Sequence, residues 1–286
     1  MTLVRKLSGD KPATPMPRGA TDTQMHLYID GFAAQPGGPP IPEGTPGIDD
    51  YRKLADWLGI DRIVVTIGNA HQLDNSCLHE CLRQLGDMAR GVAAITGETS
   101  DSEMTRLADG GVRGARIMEL PGGAVGLSSL AGVDARAAAF GWAVAVQFDG
   151  SDILEHLDKL TSIRSNWILD HHGKFLSGVT PDDPRIDAVK QLIDKGNCWF
   201  KLAACYESSR AGPPDYDDIA AVARVIAEYA PDRIIWGTNW PHNQATTTER
   251  YPDDGALLDT VLGWIAQQHH QKLLVDNPAK LFGFPG

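Results

Sequence analysis

The chain has 286 residues and a formal net charge of −11. A surplus of acid on this scale leaves no basic stripe to neutralise phosphates, which excludes a nucleic-acid-binding surface. Hydrophobic residues make up 42% and charged residues 22%, the balance of a soluble globular domain able to bury a core without disulfides.

No apolar run approaches the roughly 20 residues of a membrane span, and the start, Met1-Thr2-Leu3-Val4-Arg5-Lys6, leads into polar sequence without a signal-peptide core. Residues 1–19, with Pro12, Pro15 and Pro17, predict an extended arm. Residues 20–286 predict a single barrel domain with an extra C-terminal helix. Short apolar runs alternate with amphipathic segments every ~25–35 residues, the pattern of βα units. The runs are 20–27, 62–67, 91–95, 114–118, 142–148, 166–170, 198–203 and 233–237. Each is apolar without strict alternation, as strands buried on both faces require. Helix starts are read at Asp49, Ser100, Ser151 and Asp215. After the eighth strand, Asp254–Gln268 predicts a helix and His270–Phe282 a terminal one. Cys77/Cys81 and Cys198/Cys205 lack zinc-knuckle spacing and read as buried reduced thiols, which predicts a cytoplasmic protein.

Eight strands with intervening helices predict an α/β fold, a TIM-type (β/α)8 barrel. A doubly wound sheet is the competitor, but no Gly-rich phosphate loop follows the first strand. Pro121-Gly122-Gly123-Ala124 lacks the Lys-Ser/Thr of a P-loop and reads as a pocket-shaping loop. Barrel active sites lie at the C-terminal ends of the strands. Those ends supply Gln24 and His26, Asn69 and His71, Arg116, Gln147 and Asp149, His171 and His172, Lys201 and Tyr206, then Asn239 and His242. Neighbouring strand residues point to opposite faces, so His171 is expected inward and His172 outward, paired with a carboxylate or carbonyl. Arg116 is flanked by apolar residues and needs an anion: either Glu119 or Asp149 in a salt bridge, or a bound ligand. Lys201 and Arg210 add cations around the strand-seven loop, although Arg210 reads equally as a solvated loop residue. Together they suggest a carboxylate substrate gripped by bidentate Arg contacts.

The strings Asp22-Thr23-Gln24-Met25-His26, Leu169-Asp170-His171-His172-Gly173, Trp199-Phe200-Lys201, Trp236-Gly237-Thr238-Asn239-Trp240-Pro241-His242 and Asp276-Asn277-Pro278 resemble the amidohydrolase superfamily, in the 2-pyrone-4,6-dicarboxylate lactonase-like branch. That branch keeps His-x-His on the first strand and a water-activating Asp on the eighth. Here Gln24 and Asn239 stand at those positions. With Asn69-Ala70-His71-Gln72 and Val146-Gln147-Phe148-Asp149-Gly150, the sequence looks like the D-galactarolactone isomerase family. The resemblance implies metal-independent interconversion of galactaro-1,5-lactone and galactaro-1,4-lactone within hexuronate catabolism, with no cofactor, nucleic-acid or membrane partner; whether the chain forms homo-oligomers is left open.

Such a reaction is an intramolecular acyl transfer: the 4-hydroxyl attacks C1, a tetrahedral oxyanion forms, and the 5-oxygen leaves. A tethered nucleophile needs no activated water. His171 and His242 are expected to share base and acid work, His26 and Gln24 to orient the carbonyl, and the Asn239 NH2 to donate to the oxyanion. Asn69, His71, Arg116, Gln147, Lys201, Tyr206 and Arg210 are expected to bind substrate, with no metal. A lactone hydrolase using His171 or His242 to activate water is the competing enzyme reading. A metal-dependent hydrolase would lack two expected ligands. A catalytically dead sugar-acid sensor is the alternative from another class.

Overall fold

A computed structural model describes residues 10–285. Eight parallel strands form one sheet in chain order: β1 Thr21–Met25, β2 Arg62–Thr66, β3 Ala89–Ala93, β4 Val112–Met118, β5 Ala143–Gln147, β6 Trp167–Leu169, β7 Cys198–Leu202 and β8 Ile234–Trp236. All eight runs predicted from sequence carry a strand. The barrel closes just beyond β8, where Asn239 N donates to Gln24 O (2.7 Å) and His26 N to Trp240 O (2.8 Å). At this seam a Cβ on Gly237 would lie 2.6 Å from the backbone N and the Cβ of Gln24, so only glycine fits. Asp22 ties the seam from β1, accepting from Thr238 Oγ1 (2.6 Å), Thr238 N (3.0 Å) and Tyr51 Oη (2.8 Å).

The helices α1 Ile48–Leu58, α2 Ser76–Leu85, α3 Asp101–Asp109, α4 Leu130–Ala139, α5 Leu157–Thr161, α6 Pro184–Asp194, α7 Asp217–Tyr229 and α8 Asp254–Trp264 surround the sheet, and α9 Asn277–Phe282 follows. Their buried faces and the outward strand residues make the larger apolar core. Ser100 caps α3 as expected, accepting from Glu103 N. Three expectations are corrected. Ser151 opens only a 3-10 turn, because Asp149 caps Ser151 N there, and α5 starts at Leu157. The helix expected from Asp215 begins at Asp217, after Tyr216 in a left-handed conformation. The terminal helix is interrupted: Pro278 has no N–H to continue the ladder, and a π turn over Lys272–Asp276 precedes α9.

Inside the barrel, Val64, Val92, Ala143, Ala145, Ile168, Trp199 and Ile235 form a second apolar cluster, stopped at the bottom by Leu281, Phe282 and Phe284. Arg90 and Arg62 cover the Phe284 ring at 4.7 and 5.6 Å. Moving two residues along a strand keeps the same face, so the layer above holds Thr66, Gln147, Asp170 and Lys201. Residues 10–14 lie against α8, with Ala13 N and Thr14 N on Asp259, and the segment then crosses to Asp61, which accepts from Gly19 N; residues 1–9 of the expected arm fall outside the described residues. No described helix is long and apolar enough to cross a membrane.

Candidate active site

At the C-terminal ends of the strands lies a cavity of about 500 Å³, within the range of small-molecule sites. His26, Asn69, Arg116, Gln147, His171, Asn239 and His242 line it, joined by Tyr28, Met118 and Glu207. Pro39-Pro40-Ile41-Pro42, from the long loop after β1, covers one side. Gln24, His71, Lys201, Tyr206 and Arg210 do not line it. Arg210 is exposed and donates to Ser177 O (2.9 Å). His71 sits in a 3-10 turn after β2, turned toward Ala33 O (3.4 Å) and the Tyr28 ring.

Lys201 and Gln24 form the floor one layer down. The fully buried Lys201 Nζ lies 2.9 Å from Asp170 Oδ1 and 2.8 Å from Gln24 Oε1. Burial alone would raise the Asp170 pKa, yet the charges of Lys201 and His171 hold it well below the usual carboxylate range. Burial lowers the Lys201 pKa, with Asp170 opposing. A fixed ammonium thus stands between the carboxylate of β6 and the amide of β1. A divalent cation there would meet like charge, and the donor set does not fit one.

Arg116 is buried and its partners are all neutral. Nη1 donates to Ile67 O (3.1 Å) and Asn69 Oδ1 (2.9 Å), and Nη2 to Gln147 Oε1 (3.0 Å). Its Nε has no acceptor among the described residues. Of the two candidate salt-bridge partners, Glu119 accepts from Leu127 N, and Asp149 accepts from Ser151 N and Leu176 N. Neither reaches the guanidinium. Asp170 and Glu207 act on it through space, but its direct contacts are dipoles, which leaves the guanidinium able to take an anion.

The histidines occupy contrasting settings. His26 Nδ1 donates to Thr66 O (2.9 Å), leaving Nε2 with its lone pair, 3.4 Å from the Gln24 amide nitrogen. Burial, then the Arg116 charge, lowers its pKa to about 3. The His171 ring stands between Asp170 Oδ1, 3.2 Å from Nδ1, and Asn239 Oδ1, 3.2 Å from Nε2. His242 is fully buried with both nitrogens engaged, Nδ1 at 2.7 Å from Tyr206 Oη and Nε2 at 2.9 Å from Asp254 Oδ1. Direct proton exchange between His242 and substrate, as expected from sequence, would require one of these two bonds to break. The expectation for Asn239 is corrected: its amide hydrogens go to Tyr206 Oη (2.9 Å) and Glu207 Oε1 (3.0 Å), so they are not free for an oxyanion.

His172 does face outward, but neither ring nitrogen has a hydrogen-bond partner among the described residues. It packs edge-on against Trp264 and Phe200, and burial lowers its pKa to about 3. His171, His172, Lys174, Asn239 and His242 all have positive φ. For residues other than glycine each costs about 1–3 kcal/mol, a strain that collects at functional sites. Sequence reading missed Glu207, Lys174 and Asp254. Glu207 meets the cavity and forms an ion pair with the buried Lys174. Burial pushes the Glu207 pKa up, but His171, Lys174 and Asn239 together hold it below its ordinary value.

A family model described as Amidohydrolase matches residues 21–284. The chain is 53% identical over 282 residues to D-galactarolactone isomerase of Agrobacterium fabrum (strain C58 / ATCC 33970), covering 98% of this chain and 96% of that one. It is 32% identical over 287 residues to a 2-pyrone-4,6-dicarboxylate hydrolase of Comamonas testosteroni, covering 95% and 92%. An apo crystal structure from Agrobacterium tumefaciens superposes with a TM-score of 0.92 at 51% identity, covering 96% of this chain and 99% of that one.

Proposed function

The chain belongs to the amidohydrolase family, and from that premise we propose that it interconverts galactaro-1,5-lactone and galactaro-1,4-lactone by intramolecular acyl transfer, without a divalent metal. The relative sharing 53% of its residues carries the name of that isomerase. The observation that carries the reading is the state of the two buried carboxylates at the site. Asp170 is held by Lys201 and His171, Glu207 by Lys174 and Asn239. Each is stabilised in its charged form and is a poor base for water. Where a hydrolase of this fold needs a free carboxylate on the eighth strand, the chain presents Asn239.

The cavity divides the work of an acyl transfer. Arg116 grips the carboxylate at the far end of the sugar acid, with Asn69 and Gln147 fixing its guanidinium. His26 Nε2, unprotonated, takes the proton of the 4-hydroxyl as it attacks C1, in concert with proton donation by His171, because burial and the Arg116 charge disfavour a standing imidazolium there. His171 supplies the proton that the departing 5-oxygen needs, and while protonated it faces the developing oxyanion. The tethered nucleophile removes about 7–11 kcal/mol of the barrier that a free one would meet. Lys201 supplies the positive charge beneath the site, which supports the metal-free reading. A cytoplasmic location is part of the proposal, resting on four buried, unpaired thiols.

Proton NMR of galactaro-1,5-lactone with enzyme in excess EDTA tests this. The 1,4-lactone should appear before any open diacid. Diacid accumulating directly would make the chain a lactone hydrolase, and binding without turnover would make it a sensor.

A further inference from the structure

Two amides occupy the centre of the site, and they face their histidines in opposite senses. On β1, Gln24 Oε1 is taken by the Lys201 ammonium (2.8 Å) and Thr66 Oγ1 (3.4 Å), so its NH2 must point at His26. On the loop after β8, Asn239 turns the other end, its Oδ1, toward His171. A carboxamide has nearly the same shape either way round, so its neighbours decide its orientation.

We infer that Glu207 and the Asp254–His242–Tyr206 chain are positioning residues that lock the Asn239 carboxamide with its oxygen toward His171, and thereby keep His171 protonated on both ring nitrogens. The polarity of the chain follows from its end. Asp254 accepts at 2.9 Å, so His242 carries its proton on Nε2. Nδ1 is then a lone pair and accepts from the Tyr206 hydroxyl at 2.7 Å. With its proton so directed, Tyr206 Oη can only accept from Asn239 Nδ2, at 2.9 Å. The second Nδ2 hydrogen goes to Glu207 Oε1 at 3.0 Å, and Lys174 on the other oxygen keeps that carboxylate ionised. Reversing the amide would set its oxygen against a carboxylate oxygen and against a phenol oxygen whose proton is already committed. Both contacts are repulsive.

With Asn239 Oδ1 fixed, His171 Nε2 faces an acceptor, while Nδ1 lies 3.2 Å from Asp170 Oδ1 in an ion-pair contact that lacks hydrogen-bond alignment. An imidazolium, with a proton on each nitrogen, meets both neighbours: an N–H for the Asn239 oxygen and a positive charge beside the Asp170 carboxylate. The inference rests on the proposed role of His171 as the acid, but its main test does not need turnover.

The test is 15N NMR of the imidazoles in ligand-free, full-length enzyme at neutral pH, with His171 assigned by comparison with His171→Ala. In the parent enzyme both His171 nitrogens should resonate as protonated. In Glu207→Gln the neighbouring amide can accept or donate, so Asn239 is released and His171 should lose a proton. Should that variant fail to fold, because Lys174 is left buried and unpaired, Glu207→Gln combined with Lys174→Met removes both charges and reads the same shift. Tyr206→Phe opens the chain from the other side. Each variant should lower kcat about 10–100-fold, the usual worth of such supporting contacts, while KM stays near parental because Arg116 is intact. A His171 that is singly protonated in the parent, or still doubly protonated in the Glu207 and Tyr206 variants, overturns the inference. If the NMR result holds but no lactone is isomerised, the proposed function fails and the positioning circuit stands.

Discussion

The two ends of the barrel use the same strands for opposite purposes. At the bottom, Ala145, Ile168 and Trp199 meet Leu281, Phe282 and Phe284 in an apolar plug. One strand period higher, Gln147, Asp170 and Lys201 stand in the same inward files, buried as deeply but charged or polar. The backbone is common to both ends; the side chains separate holding the fold from doing the chemistry. The upper layer, with its buried ions and left-handed residues, is costly, and the lower layer and the outer core offset that cost.

The sharpest way to break the comparison is at the top. His171→Ala should lower kcat about 10²–10⁴-fold, the range for a general acid or base, while urea unfolding stays close to parental. Comparable losses of rate and stability would mean that the top also holds the fold. At the bottom the expectation reverses: Phe282→Ala should cost about 3–5 kcal/mol in urea unfolding and leave kcat unchanged well below the melting temperature. Impaired chemistry in that variant would show the two layers to be coupled.

Arg116→Met should raise KM by roughly 30-fold or more, corresponding to about 2–5 kcal/mol for one partner of a buried charged contact. The loss should vanish with a lactone lacking the distal carboxylate, and the ligand-free variant should melt no lower than the parent. Equal losses on both substrates would assign Arg116 to the scaffold. The most gradual expected effect, smallest per unit of pH, is in acid. His172 keeps a folded pKa of about 3 against about 6.5 unfolded. The unfolded chain therefore takes up this proton first as pH falls. Stability present above pH 6.5 is lost progressively down to about 3, at up to about 1.4 kcal/mol per pH unit for this one proton. His26 adds a second such proton. His172→Leu should flatten the slope of unfolding free energy against pH in this window by one proton, and an unchanged slope would show that His172 is already solvated when folded.

Much of the frame was legible because strands buried on both faces write themselves as short apolar runs, and parallel βα order fixes which ends converge. Depth was not legible. Gln24 and Lys201 read as cavity residues, yet the stagger of the strands sets them one layer below, and no local pattern encodes that stagger. His71 read as a strand-end residue because 3-10 turns leave no periodic trace. Asp254 looked like an ordinary first-turn acid of α8; its bond to His242 depends on how that helix seats against the barrel. Glu207 was hidden by its neighbour Tyr206, which drew the reading although its hydroxyl is directed to His242 and Asn239. The Arg116 alternatives could be closed only by seeing Glu119 and Asp149 occupied elsewhere.

The plug also sets a timetable for the newborn chain. Its stopper comes from residues 281–284, whereas the walls it seals begin at Val64 and Val92. At the usual pace of ~5–20 residues per second, a ribosome needs on the order of 10–40 s to travel from β3 to Phe284. Throughout that interval the inner faces of β2 and β3 have no lid beneath them. Until residues 281–284 are made, that apolar half-cylinder stays open at its base.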